Sequence, residues 1–134
     1  MERIATEADI ARALDELEIA DPRLAPLRAR AGTVDLRLGV PDFAALVSIV
    51  IAQQVSRASA QAMLNRLQAL VEPLTAERLL ASGPAVLFEA GLSRAKQRTL
   101  LGLAVAIERE GLDLQAQVAR PSQQAIATLV ELPG

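Results

Sequence analysis

Neither cysteine nor histidine occurs anywhere in the 134 residues. Their absence removes disulfides, thiolate nucleophiles, imidazole general bases and Cys/His zinc sites. It also leaves no ligand set for an iron–sulfur cluster, and no dense carboxylate motif replaces one, so no metal or cofactor is expected. Tryptophan and tyrosine are missing too, and the two aromatics, Phe43 and Phe88, read as core residues. Glycine and proline number 7 each, too few for a fibrous or disordered chain. Long apolar runs are absent as well. The longest, Phe43–Ala52, is interrupted by Ser48 and reaches about half the length a bilayer needs. The opening MERIATEADI lacks the basic-then-apolar order of a secretory signal. A membrane partner is not expected, and the cytoplasm is the expected location.

What is present is apolar mass: 51% of the residues are hydrophobic, enough for one compact domain over 1–134 without covalent staples. The net charge of −2 does not advertise a nucleic-acid binder, but its distribution is uneven. Residues 43–107 hold 6 basic and 3 acidic side chains, while 1–42 and 108–134 are net acidic. A basic middle is either a phosphate-facing side or a solvated mixed surface. Of the 14 basic residues only Lys96 is lysine.

The periodicity is helical from end to end, and the expected fold class is all-α with about eight helices. Thr6 with Asp9 three residues on reads as a capping box. Asp21-Pro22 opens a short helix that ends at Gly32, and Thr33–Val40 reads as a loop. From Pro41 a helix follows that is apolar nearly all round, the pattern of a buried central element. Ser56, Thr75 and Ser93 are placed to cap the next helices, separated by Pro73, the Ser82-Gly83-Pro84 punctuation and the Gly91-Leu92 turn. Gly111 ends the long helix after Ser93. The last helix starts at Ser122, with Ile126, Leu129 and Val130 as its apolar face. Composition and spacing by themselves assemble no catalytic set: the serines have no basic partner, and the carboxylates are scattered over first turns and polar faces.

Three landmarks, in order, carry a resemblance. FAALVSIVIAQQVS over residues 43–56 is a buried helix ending in a glutamine turn and a serine cap. AGLSRAKQRTLLGLA over 90–104 is a Gly-Leu turn entering a basic helix. LVELPG over 129–134 is the first arm of a tight hairpin. Together they resemble the helix-hairpin-helix DNA glycosylase superfamily, of the 3-methyladenine DNA glycosylase II type. Asp21-Pro-Arg-Leu-Ala-Pro-Leu is similar to the stretch ahead of the central helix in the branch without an iron–sulfur cluster. The resemblance spans about residues 10–134.

The resemblance implies hydrolysis of the N-glycosidic bond of a flipped, alkylated purine in double-stranded DNA. It implies that a side chain of the glutamine turn, Gln53 or Gln54, fills the gap left by the flipped base, and that Leu92 plugs the opposite strand. DNA-backbone contacts are implied for Pro133 and Gly134 of the hairpin, where glycine lets backbone N–H groups approach a phosphate, and for Ser56, Arg94, Lys96 and Arg98. The family's catalytic aspartate lies beyond the hairpin, hence beyond Gly134. Neither Asp113 nor Glu131 takes its role, because both precede the turn of the hairpin. On this reading the chain is truncated at the hairpin, is inactive alone, and self-associates through apolar surface left open on its central helix. A non-catalytic helical DNA-binding module and an unrelated all-α interaction protein are the competing readings.

Overall fold

The structure, a computed structural model, describes residues 4–133, and among them every regular element is helical. They divide into two compact units, one up to Gly39 and one from Val40. The first holds α1 (Glu7–Ala20), a 3-10 turn (Pro22–Leu24) and α2 (Ala25–Ala31). Thr6 Oγ1 accepts from the Asp9 N–H at 3.2 Å, and Asp9 Oδ2 accepts in return from the N–H groups of Ala5 at 3.0 Å and Thr6 at 2.9 Å. The expected capping box is therefore formed, and it satisfies donors that the first helical turn leaves open. Arg28 joins α2 to α1 through Asp15 at 2.7 Å and Glu18 at 3.3 Å. No residue of these three elements is buried, so caps and ion pairs, not a core, define this unit. Gly32 closes α2 at a φ of +70°, and residues 33–40 are irregular as expected.

The core belongs to the second unit, which runs α3 (Phe43–Ala52), α4 (Arg57–Leu70), α5 (Ala76–Ser82), α6 (Ala85–Glu89), α7 (Arg94–Arg109), α8 (Leu114–Ala119) and α9 (Ser122–Leu129). Asp42 caps α3, its Oδ1 accepting from the Ala45 N–H at 2.8 Å. Phe43, Val47 and Ile51 recur every four residues and are buried. They meet Met63, Leu67 and Val71 from α4 and its end, Leu79 from α5, Leu87 from α6, and Leu100, Leu103 and Ala104 from α7. The 16-residue α7 is the hub: α3, α5 and α6 all pack on it, while α4 packs on α3 and α6. Serine and threonine caps stand where expected, at Ser56, Thr75 and Ser93.

Four expectations fail, each for a packing reason. The central helix α3 is buried on one face only. Its neighbours α4 and α7 cover Val47 and Ile51 but leave Ile49 58% exposed. Phe88 is not a core residue but is 76% exposed. Leu87 and Phe88 are adjacent on a five-residue helix, so about 100° separates them around its axis, and Leu87 takes the inward position. The apolar face of α9 is only partly covered, with Leu129 half-buried but Ile126 and Val130 exposed. Finally, α8 is an additional helix, capped by Asp113 Oδ1 accepting from the Ala116 N–H at 3.0 Å. Its inward position is filled by a polar residue, Gln117, which breaks the apolar periodicity that announces a helix.

Two outcomes follow. Leu100→Ala, at a fully buried site on the hub helix, is expected to lower the unfolding free energy by roughly 2–5 kcal/mol in chemical denaturation. The Asp9 carboxyl is held down from 3.8 to about 2 by the Ala5 N–H and then by Thr6 and Arg12. A depressed folded-state value gives stability that is complete above the unfolded value and is lost as pH falls through the folded one. The contribution should thus vanish between about pH 4 and pH 2. A carboxyl-detected NMR titration of Asp9 should show the low midpoint, and Thr6→Val should move it upward.

Candidate nucleic-acid interface

The candidate interface is built where α3 ends. The N–H of Gln53 donates to the Val50 carbonyl at 3.3 Å, and Gln53 then turns the chain into extended backbone at φ −61°, ψ 129°. Gln54 follows at a φ of +57°, the one non-glycine residue with positive φ among the described residues. That left-handed conformation crowds a Cβ and disfavours a non-glycine residue by roughly 1–2 kcal/mol. Both glutamine side chains are exposed. Ser56 restarts the chain as α4: its Oγ accepts from the Ser59 N–H at 3.2 Å and donates to Ser59 Oγ at 2.9 Å. The hydroxyl is thus engaged in capping, and what α4 offers outward is its N-terminal N–H groups and dipole.

The second landmark has a different geometry from the one expected. Gly91 takes a φ of +87° and Leu92 turns inward, 4% exposed. Its N–H donates to the Leu87 carbonyl at 3.1 Å, and its carbonyl accepts from Gln97 Nε2 at 2.7 Å. A residue that plugs a duplex must project into solvent, so Leu92 is corrected from a DNA plug to a core residue. The same stretch instead projects Phe88. Arg66 holds this turn, with Nε donating to the Ala90 carbonyl at 3.2 Å.

The three basic residues at the start of α7 separate into two kinds. Arg94 and Arg98 are exposed and enter no ion pair among the described residues. Lys96 is half-buried, and its Nζ donates to the carbonyls of Ile51 at 2.7 Å and Gln53 at 2.9 Å. Arg57, at the first helical position of α4 beside the glutamine turn, is a further exposed cation that the sequence reading did not single out. Its place directly after the Ser56 cap was the available signal. Every ion pair among the described residues lies in the first unit, and within residues 43–107 Arg66 and Lys96 instead hold main-chain carbonyls.

Where the resemblance places the hairpin, the Leu132 N–H donates to the Leu129 carbonyl at 3.2 Å and the Leu132 side chain packs on the core. Pro133 is exposed on one side, while its ring lies against Gly102 of α7 so closely that a Cβ there would overlap it. Gly134 lies outside the described residues. Asp113 is committed to its helix cap. No group of three or more Asp or Glu side chains is arranged to hold a metal among the described residues. None of their helices is long and apolar enough to cross a membrane.

No family model matches the chain, and neither does any curated protein. A search of solved structures does find relatives. One is the crystal structure of a DNA-3-methyladenine glycosidase from Bacillus halodurans, at a TM-score of 0.79 and 26% sequence identity. The chain has the all-helical fold of the helix-hairpin-helix DNA glycosylases. The likeness extends over 100% of this chain and 61% of the solved one, so the glycosylase fold here spans about three-fifths of that relative's length. Within that fold α3, its glutamine turn and the basic start of α7 are brought together, and Lys96 is the physical link between them.

The Gly102–Pro133 contact can be tested directly. Gly102→Ala should favour the isolated helix by up to about 1 kcal/mol, yet the new Cβ must push the Pro133 ring away. The expected result is a shifted or broadened NMR signature for Leu132 and Pro133 with α3 and α4 unchanged. An unaltered hairpin signature would show that the close seat is not required.

Proposed function

We propose that this chain is the DNA-gripping part of a base-excision glycosylase for alkylated purines of the 3-methyladenine kind, with duplex DNA containing a damaged base as its partner. Gln54 carries the reading. It is an exposed amide side chain at a strained backbone position, at the end of a helix whose other face is locked in the core. Such strain persists only where the surroundings over-determine it, and it concentrates at functional sites. A wedge at this place offsets part of the few kcal/mol needed to unstack and flip a nucleotide. Arg57, Arg94 and Arg98 supply phosphate contacts on either side, and the seated Pro133 turn presents the hairpin. Of the two glutamines, Gln54 is assigned as the wedge and Gln53 as its hinge.

Cleavage of the glycosidic bond requires a carboxylate beside an oxocarbenium-like transition state. By the resemblance, that group follows the hairpin. These 134 residues therefore bind and distort DNA but remove no base by themselves. A non-catalytic helical module that engages DNA or a protein is the second reading, and the exposure of Phe88, Ile126 and Val130 favours it.

Fluorescence anisotropy with matched duplexes, one intact and one carrying a stable abasic analogue, separates these readings. The chain is expected to prefer the abasic duplex. Gln54→Ala should weaken that complex about 10-fold, equivalent to roughly 1.4 kcal/mol, and leave the intact duplex unaffected. Replacing Arg94 and Arg98 by alanine should weaken both complexes alike and flatten the salt dependence by about two phosphate contacts. Equal binding of the two duplexes by the unaltered chain would rule out the wedge. Release of an alkylated purine by these 134 residues would overturn the assignment of chemistry to a later carboxylate.

A further inference from the structure

We infer that Lys96 is a positioning residue for the Gln54 wedge, not a phosphate contact; the inference rests on the wedge reading above. The last carbonyls of any α-helix lack intrahelical donors, and they form its negative end. In α3 Ile51 carries one such group and Gln53 is the extended cap that follows, and the ammonium of Lys96 reaches both carbonyls from 45 and 43 residues away, at 2.7 and 2.9 Å. The Gln53 carbonyl belongs to the peptide that enters Gln54, and the Ile51 carbonyl lies three residues before it. The bond to Gln53 fixes the peptide plane from which Gln54 departs at a φ of +57°, and the bond to Ile51 anchors it to the helix end, at a position where helices commonly use glycine. The wedge direction is thereby set from α7.

Residue choice points the same way. Lys96 is the sole lysine among 14 basic residues, and every other position of that charge is arginine. An ammonium is a compact point charge with three rotatable donors, and it can converge on two carbonyls of one turn. A guanidinium is a planar fork that suits carboxylates and phosphates. The chain therefore places arginine where the surface is open, at Arg94 and Arg98, and lysine where two main-chain oxygens converge. The main-chain N–H of Lys96 is itself held by Ser93 Oγ at 3.4 Å, so the side chain starts from a fixed first turn of α7.

A double-mutant cycle on the full chain, using Lys96→Met, Gln54→Ala and the pair, tests this with the same two duplexes. The expected result is that Lys96→Met reduces the preference for the abasic duplex as much as Gln54→Ala does. The pair should lose no more than either alone. Affinity for intact duplex and its salt slope should stay at wild-type values. A phosphate contact would instead weaken both complexes about equally, lower the salt slope by about one, be rescued by Lys96→Arg, and add to Gln54→Ala; that outcome overturns the inference. A second readout needs no DNA. Backbone chemical shifts should place Gln54 at positive φ in the wild type and in Gln54→Asn, and at negative or averaged φ in Lys96→Met, while the shifts of α4 and α5 hold. If Gln54 keeps its positive φ without Lys96, the inference is wrong even should the wedge be right. If the wild type does not discriminate between the duplexes, the wedge reading fails, and the shift measurement alone decides whether Lys96 sets the turn.

Discussion

The end of α3 is the constraint on which the rest of the second unit depends. One face of that helix, Phe43, Val47 and Ile51, is sealed against α4 and α7, so its axis cannot shift without opening the core. A helix held that firmly still ends in carbonyls that need donors. Lys96 provides them from the helix that forms the other side of the core. Packing and hydrogen bonding thus converge on a single turn. The turn holds a strained glutamine in the open while everything behind it is fixed.

The two units use their charges in opposite ways. In the first, which has no buried side chains, carboxylates and guanidinium groups are paired with one another: Arg12 with Asp9, Arg23 with Asp21, and Arg28 with Asp15 and Glu18. In the second, apolar packing holds the elements together and no described ion pair uses its arginines. Exposed pairs of the first kind contribute little to stability individually, but they neutralise the surface. Arginines that enter no ion pair among the described residues stand beside an exposed glutamine turn and leave that surface locally positive, the feature on which the proposed duplex contact relies. This difference gives more information about a partner than the overall charge of −2 does.

Two close approaches put the remaining landmarks in place. Gly91 adopts a left-handed φ and leaves room for the Arg66 guanidinium, which holds the Ala90 carbonyl. That clasp turns Leu92 inward. Gly102 exposes the backbone of α7 to the Pro133 ring, so the turn after α9 rests directly on the helix that also carries Lys96. The glutamine turn and the turn after α9 are therefore both referenced to α7, about four turns long, and a displacement of that helix is transmitted to both.

The sequence by itself determined the helical class, the capping box at Thr6 and Asp9, the serine and threonine caps, the irregular stretch after Gly32 and the ordered landmarks that resemble the glycosylases. All of these are local signals: a cap needs a residue and its third neighbour, and an amphipathic stripe needs only its own spacing. What required tertiary structure was which apolar side chains are covered and which polar ones are engaged. Phe88 and Leu87 are equally apolar and adjacent, and only the neighbours of α6 decide that one is buried and the other is not. Leu92 and Gln54 both stand in turns that the resemblance links to DNA insertion, and only the packed core turns the first inward and leaves the second outward. Lys96 reads in sequence like Arg94 and Arg98, because its two partners lie more than forty residues away. Hydrogen bonds and burial between distant segments depend on where the chain has brought them, and no local spacing encodes that.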